Sequence, residues 1–332
     1  MKSSKIRTLQ RSPPYFFTGV ILVFIFVFLL SLSLGSVMIN PFSFFKEFHH
    51  QNSLTQEILF RIRLPRVVGA FAVGGLLSLA GALLQVLLRN PLADPYIMGL
   101  SGGASFFFLC GLLLGLSGFY LNTIAFVGSL FSMGVIFLLM HSRLLQSRER
   151  LTLVGVLLAS GWVALLSFML SISSASLMSN VLFWFMGDLS HVGSPFCVCA
   201  VLLIAIIFST PLGHRLNILA CGDLEAQALG VQVKTLQILL FVMSSLLTAL
   251  AVATAGNIGF VGLIIPHAVR LLGVTHYKRL LPASAILGGV FLMLADTLSR
   301  IILPSQQLPV GVMTALLGVP LCVYLCLRRG LV

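Results

Sequence analysis

The chain has 332 residues, of which 58% are hydrophobic and 8% charged, and a formal net charge of +12 at neutral pH. So little polar surface cannot cover a soluble globule, and the basic residues are scattered over segment ends without the continuous stripe that a nucleic-acid partner requires. The composition is that of an integral membrane protein.

Runs of roughly 20 apolar residues, the length a helix needs to cross the hydrocarbon core, recur from end to end. They predict about ten spans, near Phe16–Ile39, Pro65–Leu88, Tyr96–Leu116, Phe119–Met140, Leu151–Ile172, Val192–Pro211, Thr235–Ala255, Ile258–Leu272, Leu281–Leu303 and Pro309–Leu327. The first run is long and lacks a small-residue cleavage site after it, so it reads as a retained helix and not as a signal peptide. Glu57 and its polar neighbours read as the first external loop. With the N-terminus inside, fifteen of the twenty Lys and Arg residues fall on the inner side, as cytoplasmic loops require.

The exceptions are informative. Arg61, Arg63 and Arg66 crowd the outer entrance of the second span, and Arg300 ends the ninth, four residues after Asp296. Asp296 and Arg300 suit an i, i+4 pair, and snorkelling to headgroups would account for the rest. Equally, an external arginine cluster suits carboxylates of a partner, because the guanidinium fork meets a carboxylate at two points.

The second span is filled with Gly, Ala and Ser from Gly69 to Ala82, and the third opens on Gly99, Ser101, Gly102, Gly103 and Ala104. Such faces let helices approach closely in lipid, with a subset available to line a pathway. Between the spans, Pro91, Pro95 and Gly99 predict non-helical backbone, tolerated at membrane depth only against protein or water. The inner loop His214–Lys234 is the longest cytoplasmic connection and predicts two short helices around Gly222 and Gly230, with Asp223 in the first turn of the second. Gly256, Gly259, Gly262 and Pro266 then predict a broken or tilted eighth span. The six cysteines lie almost entirely within spans, where Cys is an ordinary small apolar residue, and no metal site is expected.

Taken in order, RLPR (Arg63–Arg66), the small-residue span ending in Gln85, RNPLADP (Arg89–Pro95), GLSGGA (Gly99–Ala104), LGV (Leu229–Val231), GFVGLIIPHAVR (Gly259–Arg270), LADTLSR (Leu294–Arg300) and LPVGVMTALLGVP (Leu308–Pro320) cover nearly the whole chain. This ordered set resembles the FecCD-type permeases of ABC importers, which carry iron-siderophore complexes, haem or vitamin B12 across the bacterial inner membrane. The resemblance implies an all-α polytopic fold of about ten transmembrane helices like that of the vitamin B12 importer permease, one domain over residues 1–332 with both termini cytoplasmic. It also implies a homodimer, two ATP-binding cassette ATPase subunits, and a periplasmic or lipid-anchored substrate-binding protein.

By the same resemblance Arg63, Arg66 and Arg300 receive the binding protein's glutamates, while Arg61 has no counterpart. Residues 216–231 become the coupling helices, with Gly222, Asp223, Ala226, Leu229 and Gly230 as ATPase contacts; Cys221-Gly222-Asp223 stands where relatives often carry Leu-Gly-Glu. Asn90 and Leu92, together with Ser147 and Arg148, become the cytoplasmic gate. No cofactor and no bond chemistry are implied, and GxxxxGK[ST] is absent from the chain, so the nucleotide site lies on another polypeptide. An iron-siderophore is the first cargo by family frequency, with vitamin B12 and haem as alternatives.

Two other classes stay open on residues alone. Gly99-Leu100-Ser101-Gly102-Gly103 with His267 could serve a rhomboid-like intramembrane protease. An ion-coupled secondary transporter would need embedded acids, and only Asp188 and Asp296 lie near a span end.

Overall fold

The computed structural model describes residues 15–35, 54–141, 148–173, 181–190, 192–302 and 308–328. Among these residues there is no strand, and ten long helices each coincide with one predicted span: α1 Phe16–Ser33, α2 Leu64–Leu88, α3 Leu100–Leu113, α4 Phe119–His141, α5 Arg148–Ser171, α6 Pro195–Ser209, α7 Val233–Ala255, α8 Val261–Leu271, α9 Tyr277–Ile302 and α10 Val310–Arg328. Seven are long and apolar enough to cross a membrane alone; α3, α8 and the apolar part of α10 are shorter.

The expected loop around Glu57 is instead helical. Leu54–Glu57 leads through a π-helical turn, Ile58–Arg63, straight into α2. Ile58, Leu59 and Phe60 supply apolar surface here, and Arg61 bonds Glu57 at 2.8 Å one turn back, an i, i+4 pair that supports the helix.

Burial decides which helix is central. The span through α2 is 89% buried, against 22% for α1 and 17% for α5, and α2 packs on α6, α7, α8 and α9. Between lipid-like surfaces no hydrophobic gain drives this association, so it depends on close approach and polar contacts. Both are present. A Cβ on Gly74 would strike the carbonyl oxygen of Gly288 in α9, and one on Gly81 the carbonyl oxygen of Gly262 in α8. Ser244 of α7 donates to the Ala80 carbonyl at 2.9 Å. Gln85 donates to the Gly262 and Leu263 carbonyls at 3.2 and 3.1 Å and accepts from Arg270 at 2.6 Å.

The small residues that open α3 also serve packing. Gly102 abuts Trp162 of α5, while Gly103 meets Gly128 and Ser132 of α4. Outward faces of α1, α5 and α6 carry large exposed apolar side chains such as Phe26, Leu157 and Phe208, the surface a lipid environment solvates. The eighth span, expected to be broken or tilted, is a continuous helix through Pro266, and the irregular backbone lies before it, between α7 and α8, with Gly256 and Phe260 both at φ +71°.

Candidate functional site

The two ends of α2 and the broken segment beside it gather the residues that chemistry singles out. At its first end, Arg66 places Nε and Nη2 each 2.8 Å from Asp296 Oδ1, and Arg300 Nε lies 3.1 Å from Asp296 Oδ2. Arg63 donates to the carbonyls of Leu32 and Ser33 at 2.7 and 3.0 Å. Arg300 donates to those of Ser31 and Leu34 at 3.1 and 3.3 Å. The last carbonyls of a helix have no partner within it and carry its negative dipole end, so two guanidiniums cap α1. Arg63, Arg66 and Asp296 are 4%, 7% and 1% exposed, and Arg66 and Arg300 share the one buried carboxylate. Arg61, by contrast, is exposed and turned to Glu57.

The structure therefore brings Arg63, Arg66 and Arg300 together and leaves Arg61 apart. Spacing had paired only Asp296 with Arg300. The Arg66–Asp296 pair joins residues 230 apart in sequence, a contact that local periodicity has no means of carrying.

At the other end, α2 stops at Arg89, whose φ of +50° turns the chain out of the helix. Asn90 Oδ1 accepts the Leu92 N–H at 2.9 Å, and Asp94 Oδ1 accepts that of Tyr96 at 2.9 Å, two Asx turns of the kind these residues favour. A short 3₁₀ turn, Pro95–Met98, and left-handed Gly99 then lead into α3. Arg89 Nη2 reaches across to Asp223 Oδ1 at 2.9 Å and to the Leu219 carbonyl at 3.1 Å.

Leu219 and Asp223 belong to the two short helices expected after α6, Gly213–Cys221 and Asp223–Ala228, divided at Gly222. Ala226 is fully buried against the body of the protein, whereas Leu229 is exposed, and so is Leu224, which no sequence motif marks. Gly230 closes the pair at φ +78°. Asn90 and Leu92 thus lie one residue and three residues beyond a side chain bonded to Asp223. Arg148 opens α5, its side chain outside the description, and Ser147 lies outside the described residues.

Beside the turn that follows α2 lies a cavity of about 950 Å³, lined by Asp94, Tyr96, Met186, Phe260, Leu316 and their neighbours, within the size range of ligand sites. Its walls are mostly apolar, and irregular backbone at such depth is tolerated where it borders a cavity. Tyr96 Oη accepts the Ile258 N–H at 3.0 Å, and Asp94 also accepts a backbone bond from Phe260. These bonds tie the turn after α2 to the strained segment before α8. Burial pushes the Asp94 carboxyl up to about 6, opposed by the two backbone N–H groups that favour its charged form.

The model of the FecCD transport family matches residues 22–328. The chain is 38% identical over 320 residues to an uncharacterised ABC transporter permease protein, YvrB, of Bacillus subtilis, covering 91% of this chain and 90% of the relative. It is 36% identical over 329 residues to the vitamin B12 import system permease protein BtuC of Photorhabdus laumondii, covering 98% and 96%. Among solved structures, an inward-facing transporter provisionally assigned to the metal-chelate type of ABC transporter superimposes with a TM-score of 0.85 at 30% identity, over 96% of this chain and all of that one. PsaBC from Streptococcus pneumoniae shares the fold at a TM-score of 0.56 and 18% identity, over 86% of this chain and 95% of that one.

Proposed function

Because the chain belongs to the FecCD transport family, a membrane-embedded permease of bacterial ABC importers whose ATPase is a separate subunit, we propose that it moves a metal chelate inward as one half of a homodimer. The observation that carries this is the position of α2. One buried helix has the arginine cluster at one end and the Asn90 turn, bonded to the Gly213–Ala228 helices, at the other, and that turn continues into the cavity wall at Asp94 and Tyr96.

In this scheme positive-inside charge sets the arginine end outside and both termini within. Arg63, Arg66 and Arg300 receive the carboxylates of a substrate-binding protein. Gly222, Asp223, Leu229 and Gly230 seat the ATPase, with the buried Ala226 anchoring their helices to the body of the protein, and Asn90 and Leu92, with Ser147 and Arg148, close the inner end. The exposed α10 residues Leu316 and Val319 border the cavity, and a second copy facing them would complete its wall. The permease contributes no bond chemistry; its two arrangements exchange by rigid-body rocking while the partner hydrolyses ATP.

For cargo, BtuC-type relatives at 36% identity favour cobalamin over the ferric siderophore that family frequency alone puts first. Calorimetry on the cognate binding protein decides between them. Cyanocobalamin is expected to bind, with ferric siderophores and haem giving no heat. Siderophore binding without cobalamin binding reverses the order, and binding of neither rejects a chelate cargo of these classes.

ATPase seating has its own test. Leu224 is 78% exposed, so Leu224→Asp leaves the fold intact. It is expected to cut ATPase co-purification roughly tenfold, the loss typical of removing an apolar anchor from an interface. Unchanged co-purification would move the ATPase site elsewhere.

A further inference from the structure

Arg89 is the first residue past α2 and holds the left-handed conformation, φ +50°, ψ 32°. At such a position, just past a helix end, glycine is the usual occupant because a Cβ is disfavoured there. An arginine tolerated in that conformation directs attention to its side chain. That side chain spans from the turn to the Gly213–Ala228 helices, with Nη2 2.9 Å from Asp223 Oδ1 and 3.1 Å from the Leu219 carbonyl. Asn90 follows immediately, and its own carboxamide folds the turn over Leu92. The backbone strain and the cross-element ion pair are separate observations, and both fall on one residue.

We propose that Arg89 and Asp223 form a latch that couples movement of the ATPase-seated helices to the turn Asn90–Pro95, a positioning role that rests on the seating described above. The geometry suits a part that must let go. The two side chains are 30% and 37% exposed, and ion pairs at such exposure are weak enough to open and reform readily. The turn itself is joined on its far side to the α7–α8 segment through Tyr96 and Ile258. A displacement delivered at Asp223 thus has a bonded route through Arg89 to the cavity wall, without passing through the long axis of any helix. Arg66 and Asp296 at the opposite end of α2 are, by contrast, closed off and buried.

Arg89→Gly separates the two roles, because it relieves the backbone while removing the latch. The full importer, co-purified with its ATPase subunits and placed in lipid nanodiscs, is spin-labelled on a cysteine-depleted permease at Pro91→Cys, a position exposed in the turn. One label per copy then reports the distance across the homodimer. Trapping with ATP and vanadate is expected to shift that distance in the parent. In Arg89→Gly the shift is expected to fall to less than half, with ATPase retention unchanged and the thermal midpoint equal or higher. Arg89→Lys, which keeps a cation within reach of Asp223 and leaves the seating helices unaltered, is expected to retain the shift.

An undiminished shift in Arg89→Gly overturns the latch, as does a lowered midpoint, which would assign the arginine to stability alone. Retention of the ATPase in Leu224→Asp would instead remove the seating premise and the latch with it. The two failures are therefore read on different measurements.

Discussion

Asp296→Ala is expected to destabilise the permease by about 3–5 kcal/mol, the loss seen when one partner of a buried ion pair is removed. Asp296 is the carboxylate that Arg66 and Arg300 share, and all three side chains are less than a tenth exposed. Without it, two guanidiniums remain buried beside a third, Arg63, with neutral oxygens such as the Leu32 and Ser31 carbonyls as acceptors. Thermal unfolding in detergent reads the loss directly. The double replacement Arg66→Met with Asp296→Leu should recover part of it, since it removes one of the two guanidiniums that lose their carboxylate, while Arg300 stays buried without its own. A double variant as unstable as Asp296→Ala would mean that the remaining bonds of Arg66, such as that to Ser190, outweigh the pair.

The same geometry changes how a docking role for these arginines is to be tested. From sequence alone, Arg63→Glu and Arg300→Glu should weaken the binding protein's grip and leave the protein in the membrane. In the structure Arg63 faces the Leu32 and Ser33 carbonyls, so a carboxylate there meets the negative end of α1. Arg63→Gln keeps donors for those carbonyls and removes the charge. Loss of affinity for the binding protein at an unchanged thermal midpoint supports docking; a fall in midpoint with affinity intact assigns Arg63 to capping α1.

What was legible in the chain follows from the range of each interaction. Ten helices could be placed because hydropathy over some 20 residues is a local property, and the bilayer fixes its length. The division at Gly222, the break before α8 and the turn after Arg89 were legible because Gly, Pro, Asn and Asp impose their geometry on immediate neighbours. Glu57 misled for the same reason. A polar residue between apolar ones reads as a loop, yet its bond to Arg61 one turn on makes it helical. Illegible were the contacts that cross the fold. Arg66 with Asp296, Arg89 with Asp223 and Gln85 with Arg270 join residues 230, 134 and 185 apart, and each depends on how α2 is surrounded. Asp94 shows the boundary well: its Asx turn was implicit in the motif, while its second bond, to Phe260, awaited the fold.

Gly81→Val should be among the most damaging single changes in the chain, for a reason that the position's sequence neighbours do not disclose. A Cβ at Gly81 would collide with the carbonyl oxygen, carbonyl carbon and Cα of Gly262, so the obstruction is backbone and no rotamer change relieves it. Nor can α8 simply withdraw. Gln85, one turn further along α2, holds the Gly262 and Leu263 carbonyls against it, and the Asp94 bond to Phe260 ties down the start of α8. Overpacking in a core ordinarily costs about 1–3 kcal/mol and occasionally more; a collision with backbone that hydrogen bonds hold in place belongs at or above the top of that range. Valine at Gly161, where no heavy atom lies within 4 Å of the added Cβ, provides the matched comparison and should be nearly neutral. Folded protein recovered from membranes and its thermal midpoint measure both. Equal recovery of the two variants would show that α8 can slide along α2, and the Phe260 bond to Asp94 would then have to be carried with it, making the cavity wall a moving part and not a fixed one.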